Sequence, residues 1–308
     1  MFIQFSIAAL LIASLLIGVP TLQKVPVSPD MVFVQGDRYD MGNPIEHHYF
    51  YRNEKPVHTV ELPNFYMGKY EVTNGEYVQF LNAISAETLL DSVDRADDSS
   101  LGVRYKDDIY ADVKFQPDST LQLGIEVLTS DSDLIFRVLP GFGAFPVTFV
   151  TWYGAKAFCQ WKYENGDLPS ESQWEYAARN GKYWRNSDFK YSGGDVLDSV
   201  GWYWDNGAFK VHEVGQKLPN RLGIYDLSGN LWEWIDDHWH EDYTGAPLDG
   251  TSWTEKNLKK DHNRVLRGGA WLYSKGEATT TNRWSDVPDD RHDYKGFRCV
   301  CNSADEND

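Results

Sequence analysis

Three cysteines are the residues of this chain whose type and spacing most directly suggest chemistry: Cys159, Cys299 and Cys301. Cys299 and Cys301 lie two residues apart, so on a strand they would face the same way and either could pair with Cys159. An odd count leaves one thiol unpaired in an oxidising compartment. In the cytosol all three would instead remain reduced core thiols.

A histidine pair, His238 and His240, lies in the acidic segment DDHWHEDY. On a strand the two imidazoles would share one face and could bind zinc or iron. Two ligands at this spacing specify a metal poorly, and the alternative, which we favour, is a solvated loop.

The overall charge limits the possible partners. The chain has 308 residues, with 29 basic and 46 acidic side chains and a net charge of −17 at pH 7. Such a charge repels phosphate backbones and anionic lipid surfaces, which argues against nucleic acid as a partner. It favours solubility and is compatible with divalent cations.

The chain begins with an apolar run, FIQFSIAALLIASLLIGV, from Phe2 to Val19. We interpret residues 1–24 as a signal peptide or an N-terminal membrane anchor, because the run is uncharged and nearly long enough to span a bilayer. A buried helix is the alternative. Export predicts a periplasmic or cell-envelope location, with possible membrane attachment through this segment.

Three helix starts are predicted, two from capping residues and one from the spacing of apolar residues. Thr73 with Glu76 forms a capping box. Near Thr151, apolar residues at helical spacing predict a second helix, which should end near Asn165-Gly166. Ser170, with Gln173 three residues later, opens the best-signalled helix, and its segment LPSESQWEYAARNG is interpreted as scaffold.

The remaining chain divides by composition. MVFVQG at Met31 alternates apolar and polar residues, which predicts a strand. The segment at about 86–143 is rich in Asp and is predicted to be an acidic insertion of strands and loops. We therefore predict one domain over residues 31–301, containing this insertion, and an acidic tail over residues 302–308.

Four segments together resemble the formylglycine-generating enzyme (sulfatase-modifying factor) family. They are FYMGKYEVTNGEYVQFLNA, FPVTFVTWYGAKAFCQWKYENGDLPSESQWEYAARNG, LPNRLGIYDLSGNLWEW, and RVLRGGAW with a later GFRCV. The resemblance implies an α+β fold related to C-type lectin domains, mixed and with little regular secondary structure. It also implies a disulfide between Cys159 and Cys299, with Cys301 left unpaired.

The same resemblance places the family's copper-binding cysteine pair just after RGG-x-W. Here those positions are Tyr273 and Ala278, and no cysteine occurs between Cys159 and Cys299. Because copper(I) requires soft thiolate ligands, we expect no copper and no formylglycine-generating activity.

GIYDLSGNLWEW resembles a calcium loop of the family. The resemblance implies side-chain ligands at Asp226 and Glu233 and carbonyl ligands at Gly229 and Leu231, a hard oxygen set that suits a structural calcium ion. The alternative is that Asp226 is a turn residue and Glu233 a surface acid.

The stretch that replaces the thiolate pair is predicted to line a pocket for a peptide, a carbohydrate or an envelope protein. A non-catalytic binding or envelope-complex module is the favoured function. The alternatives are an oxidase or other enzyme in which Tyr273 supplies acid/base chemistry, and a structural subunit of a motility or secretion complex. The candidate pocket residues are Trp271, Tyr273, Lys275, Glu277, Arg283 and Trp284.

Overall fold

The computed structural model describes residues 29–45, 49–92, 100–114, 123–130, 133–186, 189–255 and 259–302. The predicted leader, residues 1–24, lies outside these ranges, as does the predicted tail beyond Asn302. Within the described ranges, no helix combines the length and apolarity needed to cross a membrane.

Short strands dominate the described residues, which confirms the expected mixed α+β fold with little regular secondary structure. The strands are β1 (Met31–Val34), β2 (Arg38–Met41), β3 (His58–Glu61), β4 (Phe65–Gly68), β5 (Thr88–Ser92), β6 (Ser100–Tyr105), β7 (Asp108–Lys114), β8 (Ile125–Ser130), β9 (Asp133–Val138), β10 (Gly166–Asp167), β11 (Trp232–His238), β12 (Arg264–Arg267), β13 (Arg283–Asp286), β14 (Lys295–Gly296) and β15 (Val300–Asn302).

Three of the described helices begin where the sequence predicts. Thr73 and Ser170 each form a complete capping box, and the Thr151 hydroxyl accepts from the Gly154 amide. Each such cap stabilises a helix by about 1 kcal/mol. The helices are α1 (Asn74–Ile84), α2 (Trp152–Lys162), α3 (Glu171–Ala178) and α4 (Leu197–Val200), with 3-10 turns at Tyr49–Glu54, Ser85–Glu87 and Gly181–Asn186.

The segment at about 86–143 contains a five-stranded sheet in the order β5-β6-β7-β8-β9. Its strands contact α1 and α2. The buried residues Val103, Val113 and Phe136 join the same apolar core as Phe158 of α2. The strands predicted here are therefore present, and one face of the sheet is part of the main core.

A second sheet, in the order β13-β12-β11-β14, positions the residues discussed below, and we call it the central sheet. Cross-strand partners share a face of a sheet. Glu233, Arg267 and Arg283 are aligned across β11, β12 and β13 and therefore share the inner face. Trp234, Leu266 and Trp284 are aligned in the same way on the outer face.

The disulfide implied by the resemblance is confirmed. Cys159 of α2 is bonded to Cys299, which directly precedes β15, while Cys301 within β15 is buried and unpaired. The bond ties the helix to a strand 140 residues later in the chain. A disulfide of this kind is typical of an oxidising compartment.

Candidate functional site

The inner face of the central sheet is a buried charge network built on α3. All eight residues of α3 are buried. Glu171 accepts from Arg283 through both carboxylate oxygens, at 2.6 and 2.9 Å. Glu175 accepts from Arg267 Nη2 at 2.5 Å. Because an unpaired buried charge is very costly, each arginine depends on its carboxylate, and this network is structural.

A second buried pair lies further along the same face. Arg298 donates to both oxygens of Glu233, at 2.8 and 2.7 Å. The Trp174 indole of α3 also donates to Glu233, at 2.8 Å. Glu233 is therefore not the surface acid that the alternative to calcium would require.

The predicted calcium loop fits a cation only in part. Asp226 is buried, and its Oδ2 accepts from the Gly215 amide at 2.7 Å. Its Oδ1 has no partner among the described residues. Burial raises the pKa of Asp226 to about 6, so an ionised Asp226 needs compensating positive charge. Asp226 therefore suits a cation, whereas Glu233 is already satisfied by Arg298 and Trp174.

Tyr273, the position at which the resemblance places the first thiolate, packs against the outer face of the central sheet. The Tyr273 ring lies 5.7 Å from Trp232 and 5.6 Å from Tyr294, measured between centroids. Trp232 in turn lies 6.4 Å from Trp284. Trp284 is 49% exposed, although Trp232 beneath it is fully buried. We call these four side chains the Tyr273 cluster.

The structure brings only some of the predicted pocket residues together. Tyr273 and Trp284 both contact Trp232, but Arg283 points to the inner face, where it pairs with Glu171. Trp271 is buried with Val211 and Leu231 in a separate small core. The two other candidates lie on the turn after Tyr273, where Lys275 is exposed and Glu277 accepts from the Ser274 hydroxyl at 2.5 Å.

Sequence reasoning missed a buried lysine that supports this cluster. Lys295 Nζ lies 2.6 Å from Asp286 Oδ2, pairs with Asp290, and lies 5.2 Å from the Trp234 ring. Because β14 is only two residues long, the sequence shows no alternation of apolar and polar residues that would predict a buried side chain at Lys295. Strand alternation did carry a signal on β13, where Trp284 and Asp286 must share a face.

Acid/base chemistry at Tyr273 is disfavoured by its surroundings. Burial raises the pKa of the Tyr273 hydroxyl more than the hydrogen bond with Tyr294 lowers it, and the carboxylates of Asp286 and Glu277 raise it further. A general base near neutral pH needs the opposite shift. The surroundings of Tyr273 therefore suit packing against a bound molecule better than proton transfer.

The two histidines make hydrogen bonds within the chain. His238 is the last residue of β11 and is buried, so the favoured interpretation as a solvated loop is wrong for this residue. Its Nδ1 accepts from the Glu255 amide at 3.1 Å, and His240 Nε2 lies 3.1 Å from Glu255 Oε1. In the part of the chain that the structure describes, no group of three or more His, Cys, Asp or Glu side chains is arranged to hold a metal.

Comparisons with known proteins extend these observations. A family model described as "Sulfatase-modifying factor enzyme 1-like domain" matches residues 18–303. The serine/threonine-protein kinase Pkn1 of Chlamydia trachomatis is 29% identical over 277 residues, covering 89% of this chain but only 38% of the kinase. The formylglycine-generating enzyme of Streptomyces coelicolor is 28% identical over 304 residues, covering 90% of this chain and 88% of the enzyme.

Solved structures show the same fold. PvdO from Pseudomonas aeruginosa superimposes with a TM-score of 0.67 at 24% identity, covering 89% of this chain and 94% of PvdO. This likeness supports the architecture alone. Since the family model spans nearly the whole chain, the protein belongs to the sulfatase-modifying factor enzyme 1-like family.

Proposed function

We propose that this protein is an exported binding module that holds a polypeptide partner on the surface around Tyr273, and that it lacks copper-dependent formylglycine-generating activity. The observation that carries the proposal is the Tyr273 cluster, which puts aromatic rings where the resemblance places the first thiolate. Cys159 and Cys299 are bonded to each other, and Cys301 is buried in β15, which belongs to a different sheet.

A second aromatic surface adjoins the first. The Trp204 amide donates to the Tyr273 carbonyl at 2.9 Å, and the Trp204 and Phe209 rings lie 5.0 Å apart. These side chains are 51% and 64% exposed. Exposed aromatic side chains grouped beside a site are typical of an interaction surface. Two adjoining surfaces suit an extended polypeptide.

The backbone beneath Phe209 supports this interpretation. Ala208 and Phe209 both have positive φ, at 50° and 56°. Non-glycine residues in this region cost on the order of 1 kcal/mol or more each, and such strain is concentrated at functional sites. Here the strained backbone presents a large apolar ring that stays mostly exposed and packs edge-to-face against the half-exposed Trp204.

The absence of oxidase activity is directly testable. Purified protein supplied with copper and a sulfatase-type cysteine peptide should yield no aldehyde by mass spectrometry, because soft ligands for copper(I) are missing at Tyr273 and Ala278. A formylglycine-generating enzyme run in parallel serves as the positive control. Aldehyde formed by the protein itself would reject this part of the proposal.

Partner binding can be tested on the full chain in the envelope fraction of cells that produce it. We expect a polypeptide partner to co-purify with the wild type and to be lost with Phe209→Ala. Leu218→Ala is the matched control, because Leu218 is 63% exposed and Phe209 is 64% exposed. If the two variants retain the same proteins as the wild type, the surface around Tyr273 is not the binding site.

We further propose that Asp226 holds a structural calcium ion. The support is its orphaned Oδ1 within a buried group in which three carboxylates, those of Asp226, Glu71 and Glu233, surround one cation, Arg298. A chelator should lower Tm and calcium should restore it, whereas Asp226→Asn should show neither response. If neither the chelator nor calcium changes the Tm of the wild type, Asp226 is neutralised by a proton and the calcium proposal is rejected.

A further inference from the structure

The exposed side of the Tyr273 cluster is bordered by carboxylates. Asp286, Glu277 and Asp290 all act electrostatically on the Tyr273 hydroxyl. Asp286 follows Trp284 by two residues on β13, so both side chains project from the outer face of the central sheet. The half-exposed indole therefore has acidic neighbours on its own face of the sheet.

This charge is only partly compensated by the chain itself. Lys295 pairs with Asp286 and Asp290, and it is buried. With the exposed Lys275, which lies on the same turn as Glu277, three carboxylates face two ammonium groups, which leaves one negative charge. His292 Nε2 lies 3.4 Å from Asp290 Oδ1.

Lys295 also illustrates the chemistry that this face favours. Its ammonium group lies between carboxylates and within 5.2 Å of the Trp234 ring centroid and 5.7 Å of the Tyr294 ring centroid. A cation held against aromatic rings gains from their negative faces, and more so where water is partly excluded. The outer surface offers the same combination at Trp284, beside Asp286.

We infer that the polypeptide partner places a lysine or arginine side chain on the exposed face of Trp284. This inference rests on the proposed function, because it names the chemistry of the partner for the same surface. The aromatic pair Trp204 and Phe209 adjoins the cluster through Tyr273. A small free cation would use Trp284 alone, whereas a basic polypeptide contacts both surfaces.

The test uses three fluorescent twelve-residue peptides in which serine alternates with arginine, glutamate or phenylalanine. Anisotropy titrations at low salt should show binding of the arginine peptide and not of the glutamate peptide. Trp284→Ala should weaken that binding by about tenfold or more. Phe33→Ala is the matched control, because Phe33 is also 49% exposed but lies on β1 in another sheet.

A second variant keeps the inference testable should Trp284→Ala fold poorly. Asp286→Asn leaves Lys295 its pair with Asp290, so it should retain the wild-type Tm. Asp286→Asn should lower the affinity for the arginine peptide by about threefold. It should also reduce the salt dependence of binding, because one electrostatic attraction that salt screens is lost. Tetramethylammonium should compete only at far higher concentration than the arginine peptide.

The possible failures are distinguishable. Equal affinity of the arginine peptide for wild type, Trp284→Ala and Asp286→Asn would overturn the inference, because its binding would then be due to the overall charge of −17. Binding of the phenylalanine peptide alone, lost in Trp284→Ala, would also overturn it while leaving polypeptide binding intact. Co-purification that does not depend on Phe209 would instead reject the proposed function.

Discussion

Replacing Glu175 by alanine should lower the free energy of unfolding by about 3–5 kcal/mol. The Glu175 carboxylate is fully buried and accepts from Arg267, from Arg179 and from the Gly42 amide. Its removal leaves the guanidinium of Arg267 in the core without its nearest counter-charge. Because domains of this size are stable by only about 5–15 kcal/mol, the loss is a large fraction of the total.

Chemical denaturation followed by tryptophan fluorescence measures this effect. Glu61→Ala is the control, since its pair with Arg38 is long, at 4.0 Å, and both side chains are largely exposed. It should cost less than about 1 kcal/mol. Glu175→Gln keeps the shape of the side chain, so its loss of unfolding free energy should lie between those of Glu175→Ala and Glu61→Ala. A loss of similar size in Glu175→Ala and Glu61→Ala would show that the buried network does not stabilise the fold.

Removing the disulfide should have an effect of similar size. Cys159 and Cys299 close a loop of 140 residues. On the chain-entropy model, a loop of this length stabilises the fold by roughly 4–5 kcal/mol. The variant with alanine at both positions should therefore show a much lower Tm than the wild type, and a reducing agent should not lower it further.

Cys301→Ala separates this effect from the loss of a buried thiol. Because Cys301 is unpaired, this variant should keep the disulfide and remain sensitive to reduction. Peptide mapping without reduction should connect Cys159 to Cys299 in both the wild type and Cys301→Ala. A fragment that joins Cys301 to either cysteine would show that the pairing is different in solution.

Local sequence signals predicted the helix starts well. A cap is a short-range interaction, so Thr73 and Ser170 could be found without knowing the rest of the fold, and apolar spacing located the start near Thr151. The disulfide was implied by the resemblance, because the residues alone left two partners open for Cys159. Of the two, the structure pairs it with Cys299.

The side-chain environments were harder to predict because they depend on long-range packing. Arg283 and Trp284 are neighbours in sequence, yet strand alternation sends one to the inner ion pairs and the other to the surface. Glu171 and Glu175 lie on a helix interpreted as scaffold, and nothing local shows that arginines from β12 and β13 will cover it. The resemblance implied that Glu233 is a calcium ligand, but Arg298 donates to both of its oxygens, a contact between distant residues that the sequence does not reveal.

The enclosure of α3 sets the order in which the chain can complete its fold. Glu175, Glu171 and Glu233 receive their counter-charges from Arg267, Arg283 and Arg298, which are all synthesised later. A nascent chain that ends before these arginines would have to bury bare carboxylates, which is unfavourable. The buried network around α3 can therefore be completed only after Arg298 has been synthesised, so these ion pairs form late in the folding of the domain.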